Sequence, residues 1–199
     1  MSQAKTVNLD AHAMATLRYI RASMDAAGSV AVPGSAGIAM GAVGTAAAAL
    51  SAIPNLRPYW LYIWLVAAPV AAIAGGLLLA RSASAIHFVS AGTPGRKLAL
   101  ALLPTLFAGA VMTAVLWRAD HIGAIPGTWL LVYGCALISA SASTTPIVSW
   151  MGSCFAGFGL LALVLPAELQ IPLLGLGFGG LHILFGILIA REAAHGRQS

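Results

Sequence analysis

Six stretches of this chain, each close to 20 residues long, contain no Asp, Glu, Lys or Arg, and they limit its fold more than any motif does. They run about 35–53, 59–80, 98–117, 127–143, 147–165 and 172–190. A helix of about 20 apolar residues spans the hydrocarbon core of a bilayer, so each stretch is long enough to cross. The fold class expected is therefore all-α: a polytopic membrane protein with six transmembrane helices in a bundle. The links are short, which makes consecutive helices antiparallel neighbours. Between the fourth and fifth stretches only Thr144, Thr145 and Pro146 interrupt the apolar run, and Pro146 supplies the reason to turn.

Composition agrees. Hydrophobic residues make up 60% of the 199 and charged residues 8%, whereas soluble domains carry roughly 25% charged residues. The 22 Gly and 10 Pro lie within or between apolar runs, where membrane helices tolerate them. The net charge of +5 does not point to nucleic acid, because the basic residues are scattered along helix ends and form no basic stripe with interleaved aromatics.

Those basic residues set the expected orientation. With the N-terminus inside, Lys5, Arg18, Arg21, Arg81, Arg96, Lys97, Arg191 and Arg197 are cytoplasmic, and only Arg57 and Arg118 lie outside. Eight against two is a positive-inside bias, and it places both termini in the cytoplasm. Tyr59, Trp60, Trp117 and Trp129 fall at outer helix ends, as an interfacial aromatic belt would. The chain thus divides into a cytoplasmic segment over 1–33, a transmembrane domain over 34–190 and a cytoplasmic tail over 191–199. The N-terminus has no apolar run followed by a small-residue cleavage site, so it does not read as a signal peptide. Over about 10–27, Leu9, Ala13, Leu17, Ile20, Met24 and Ala27 recur at helical spacing and predict an amphipathic helix.

His182 is the side chain with most chemical content. It lies about ten residues into the last stretch, near mid-bilayer, and no charged residue shares that depth. An ionisable residue there is a candidate ligand or proton site. Gly175, Gly179, His182 and Gly186 follow at steps of four, three and four and so share a helix face, and Gly37 and Gly41 give the first stretch a similar small-residue face. Such faces let helices approach closely and serve as packing surfaces. The bland role for His182 is a hydrogen bond to a neighbouring helix. Cys135 and Cys154 fall at similar depth and would complete a metal set with His182, but no motif spacing joins the three, and buried Cys is usually a small hydrophobe. Haem would need a second axial ligand; His87 and His121 lie at the wrong depth, leaving Met40, Met112 or a second copy of His182. No cofactor is therefore expected, with haem and metal kept as alternatives. Asp120, His121 and Glu168 read as solvated loop residues.

Several strings resemble a group of uncharacterised small bacterial integral membrane proteins. They are Leu17–Arg18–Tyr19–Ile20–Arg21, Ala31–Val32–Pro33–Gly34, Pro94–Gly95–Arg96–Lys97, and Gly179–Gly180–Leu181–His182–Ile183 with Phe185–Gly186 and Ile189–Ala190–Arg191. The resemblance implies a bacterial inner-membrane protein with His182 in a family motif, and it implies no activity. Two functional classes follow from the residues. One is a membrane-embedded binding or accessory subunit that packs through glycine-rich faces, on itself or on a larger complex. The other is a small-solute transporter or channel whose path passes His182. A catalytic role ranks behind both, since no nucleophile–base pair or paired carboxylates are apparent. A polar cavity reaching His182 would favour transport, and a dry glycine-lined outer face would favour assembly.

Overall fold

The computed structural model describes residues 32–82 and 94–195, together with Met14, Thr16 and Leu17. The amphipathic segment over 10–27 lies outside the described residues apart from those three, which are helical. Among the described residues there is no β-strand, and six helices are long and apolar enough to cross a membrane. They are α1 (Gly34–Ala52), α2 (Trp60–Ser82), α3 (Pro94–Arg118), α4 (Ile125–Ala140), α5 (Pro146–Val164) and α6 (Ala167–His195). The sixth is composite: an α-helical stretch Gln170–Gly175, a π-helical turn Leu176–Leu181 and a final α-helix His182–His195. It continues past residue 190, so part of the segment expected as a tail is helical.

Local chemistry sets the boundaries. Between α4 and α5 the chain tightens into a 3-10 turn over Ser141–Ser143, and Thr144 and Thr145 are extended before Pro146 opens the next helix. Proline is favoured there because the first turn needs no N–H from it. The α3 C-terminus ends in a left-handed residue, Asp120 (φ 58°), with His121 N–H donating to Leu116 O and Asp120 N–H to Trp117 O. That is a Schellman cap built on Asp where Gly is usual. Pro69 and Pro104 lie inside α2 and α3, and both helices continue through them. Hydroxyls in the apolar helices donate to the carbonyl four residues back: Thr45 to Gly41, Ser51 to Ala47, Thr113 to Gly109 and Thr128 to Ala124. This satisfies them without any outside partner.

Glycine decides which helices pack. A Cβ on Gly41 would stand 2.8 Å from Gly179 O, and one on Gly44 2.5 Å from Phe178 O, so α1 meets α6 backbone to backbone. In the same way a Cβ on Gly134 would stand 2.6 Å from Gly152 O, and one on Gly152 2.7 Å from Gly134 O, which joins α4 to α5. Phe155, Leu130 and Leu174, none with exposed area, fill the space between α4, α5 and α6. The two remaining helices sit outside this core. α2 packs on α1 and α3 on α4, yet α2 and α3 scarcely touch each other. Leu79 and Leu98 come together with Ala140 near one end, and above them the two helices stand apart. At the other end the α1–α2, α3–α4 and α5–α6 links surround a common depression lined by Arg57, Ile122 and Gln170, as an up-and-down bundle requires.

The close contacts make a direct prediction. Gly41→Ala should lower stability by about 2 kcal/mol, since its methyl would press on Gly179 O and Ile183 N of the α6 backbone as well as on Ile183 Cγ1. Gly157→Ala, with nothing within 4 Å of the added carbon, should be neutral or slightly stabilising. Thermal unfolding of the purified variants in one detergent separates the two, and equal behaviour would mean that α1 and α6 are not joined this way.

Candidate functional site

The π-helical turn of α6 has the sequence Leu176–Gly177–Phe178–Gly179–Gly180–Leu181, and it places His182 at the first α-helical position beyond it. A π turn inserts an extra residue into the helical ladder and is often found at functional sites. Gly179 and Gly186 pack on α1, against Thr45 and against Gly34 and Ile38, and Gly175 meets Ala48. Gly37 contacts the carbonyl of His182. The imidazole itself points to α4 and α5, so the glycines and the ring have different neighbours.

There it is enclosed by aromatic rings. His182, 2% exposed, stacks on Phe178 at 6.0 Å, meets Phe155 edge-on at 5.2 Å and lies 5.4 Å from Tyr133. Tyr133, Phe155 and Phe178 also touch one another, at 4.9, 5.1 and 5.3 Å. Separations of this size are those at which aromatic pairs attract. Trp64 of α2 extends the cluster, 5.9 Å from Phe178. The polar element in this nest is a 2.8 Å hydrogen bond between Tyr133 Oη and His182 Nε2.

The direction of that bond follows from the other side of the ring. The imidazole lies against the carbonyls of Phe178 and Gly177, although Nδ1 makes no hydrogen bond of good geometry with either. A neutral imidazole has one N–H and one lone pair. A lone pair at Nδ1 would face carbonyl oxygens and be repelled, so we assign the hydrogen to Nδ1. Nε2 then accepts, and the Tyr133 hydroxyl donates to it.

Beside this pair lies a cavity of about 580 Å³ lined by residues of all six helices, α5 contributing Val148 and Met151. Its walls are almost wholly carbon, with Ala68, Ala72, Leu102, Leu106 and Met40 among them. Tyr133, half-buried, and His182, almost wholly buried, both border it. The cavity is partly open to the outside, and α2 and α3, which scarcely touch, both line it.

The other sequence candidates are dispersed. Cys135 and Cys154 are exposed on the helix surfaces, not buried as small hydrophobes. Among the described residues no three of His, Cys, Asp and Glu come together as a metal site would need. For haem, Nε2 of His182 is already engaged by Tyr133, Met112 is 40% exposed, and His87 lies outside the described residues. Met40 does border the cavity. Asp120, His121 and Glu168 are all exposed. Sequence reasoning missed Tyr133, Phe155 and Phe178. A signal existed for the first: Tyr133 is a phenol in the middle of an apolar stretch, far from either interface where Tyr normally sits.

No family model, curated protein or solved structure matches this chain.

If Tyr133 and His182 act as one unit, their removal is not additive. Tyr133→Phe and His182→Phe should each cost about 1–3 kcal/mol by stranding a buried polar group. The double variant should cost less than the sum, by more than about 0.5 kcal/mol. A denaturant titration of all four proteins measures this, and simple additivity would break the pairing.

Proposed function

We propose that this chain is a membrane-embedded binding protein that takes an apolar molecule sideways from the lipid into the cavity beside Tyr133 and His182. The observation that carries this reading is the cavity itself. Its volume falls within the range of about 300–1,000 Å³ typical of small-molecule sites. Its wall combines an extensive apolar lining with a small number of fixed polar groups, the usual composition of such sites. A path for a small polar solute would call for a polar wall, which this one lacks. The glycine faces expected to serve assembly, Gly37 and Gly41 with Gly175, Gly179 and Gly186, are occupied within the chain, α1 on α6, so the binding half of that expectation is the half the geometry favours.

The setting we propose is the bacterial inner membrane, with both termini in the cytoplasm. Large apolar side chains on the outside of the bundle favour lipid as the surrounding solvent: Val164 is 79% exposed, Phe107 and Trp150 72% and Val66 65%. Soluble proteins rarely expose extended patches of this kind. The positive-inside bias supports the orientation.

Two experiments test these readings. A diazirine-bearing hydrocarbon, photolysed in membranes holding the protein, should label the cavity-facing residues of α2, α3 and α4 most strongly. Ala72→Phe, which fills the space from α2, should cut that labelling several-fold without lowering the unfolding temperature. Even labelling of all lipid-facing residues, indifferent to the phenylalanine, would sink the binding reading. For orientation, Ala119→Cys and Glu192→Cys are compared in a background with Cys135 and Cys154 replaced by Ala. An impermeant maleimide added to intact spheroplasts should modify the first, and the second only after lysis. The reverse pattern would invert the topology.

A further inference from the structure

The hydrogen-bonding inventory of the cavity wall narrows the class of its occupant, given that the cavity is a binding site at all. Among the described residues no Asp, Glu, Lys or Arg borders it. A carboxylate, phosphate or ammonium head would enter without a counter-charge, and an uncompensated charge in an apolar site is among the costliest things a protein can bury. The head is therefore uncharged.

The side-chain hydrogens then decide what kind of uncharged head fits. Trp129 Nε1–H donates to Thr113 Oγ1 at 2.7 Å, and Thr113 in turn donates to Gly109 O at 2.8 Å. Thr144 donates to Ala140 O. The hydroxyl of Tyr133 is given to His182 Nε2, by the tautomer argued above. Trp64 keeps an unpartnered Nε1–H, but that nitrogen is buried and presents no surface to an occupant. Every other wall donor among the described residues is thus already used. What remains open on the wall is acceptor capacity: the second lone pairs of Tyr133 Oη and Thr113 Oγ1. A carbonyl or ester head brings only acceptors and meets no free donor among the described residues. A hydroxyl head brings the missing hydrogen.

We propose that the cavity selects a neutral long-chain alcohol, its hydroxyl donating to Tyr133 Oη and its chain lying along the carbon wall that α2 and α3 line. Such a molecule is a membrane solute and reaches the cavity by the same lateral route as any lipid.

Tryptophan fluorescence tests this directly. Trp64 and Trp129 border the cavity, while Trp117 and Trp150 are 57% and 72% exposed and Trp60 lies near the link end. With Trp60, Trp117 and Trp150 replaced by Phe, the remaining emission reports on the cavity. The protein, in phosphatidylcholine vesicles at pH 8, is titrated with a dibrominated C18 alcohol, the corresponding acid and its methyl ester, since bromine quenches tryptophan on contact. The alcohol should reach half-quenching at a membrane mole fraction about tenfold below that of the acid or the ester, the worth of one hydrogen bond in an apolar site. Tyr133→Phe should erase that preference. Equal quenching by all three, or an ester as effective as the alcohol, would overturn the head-group selection and leave the cavity as a binding site. No quenching beyond that of a brominated phosphatidylcholine would overturn both. If Tyr133→Phe does not fold, the three-probe comparison in the parent protein still decides.

Discussion

Backbone-to-backbone contact through glycine holds this structure together, and the position of everything else depends on it. In lipid there is no water to expel between two helices, so association relies on close packing and not on the hydrophobic effect. Gly41 and Gly44 on α1 give that closeness against Gly179 and Phe178 of α6, and Gly134 and Gly152 give it between α4 and α5. The two joined pairs share the core filled by Phe155, Leu130 and Leu174. α2 and α3 lack comparable contacts with each other among the described residues, and both line the cavity beside Tyr133. The cavity is the complement of the glycine pattern: helices that carry facing small residues close up, and those that do not stay open.

The π turn connects this packing to the buried polar pair. The glycines Gly175, Gly179 and Gly186 sit on α1, while the imidazole that follows the turn reaches Tyr133 and Phe155. Three glycines lie within the turn, Gly177, Gly179 and Gly180. The carbonyls of Gly177 and Phe178 lie against the ring, and on that ground the hydrogen is assigned to Nδ1.

How much of this could be read in the sequence depends on what each feature rests on. The six helices were legible because length and freedom from charge are one-dimensional properties, and Pro146 marked even the weakest division. Gly37, Gly41, Gly175, Gly179 and Gly186 could be named as packing residues from their spacing, but not whether their partner was this chain or another, since spacing is silent on what lies opposite. His182 stood out by depth alone. Its neighbours did not, because a partner on α4 separated by 49 residues leaves no local trace, and because the π turn breaks the 3.6-residue period used to assign its face. The cysteines show the same limit from the other side. Depth placed them with His182, and only the rotation of each helix shows that they face outward.

Among the described residues the cavity wall carries no charged side chain, and His182 is covered by three rings. What the pair can do is present one fixed oxygen at a known place in an otherwise featureless apolar space. In a medium where every competitor is equally greasy, the chain of a ligand supplies little discrimination, because lipid solvates it as well as the protein does. Under the binding role proposed above, selectivity comes from the single polar point, and a hydroxyl held in place by a buried imidazole is a stiffer point than one free to rotate.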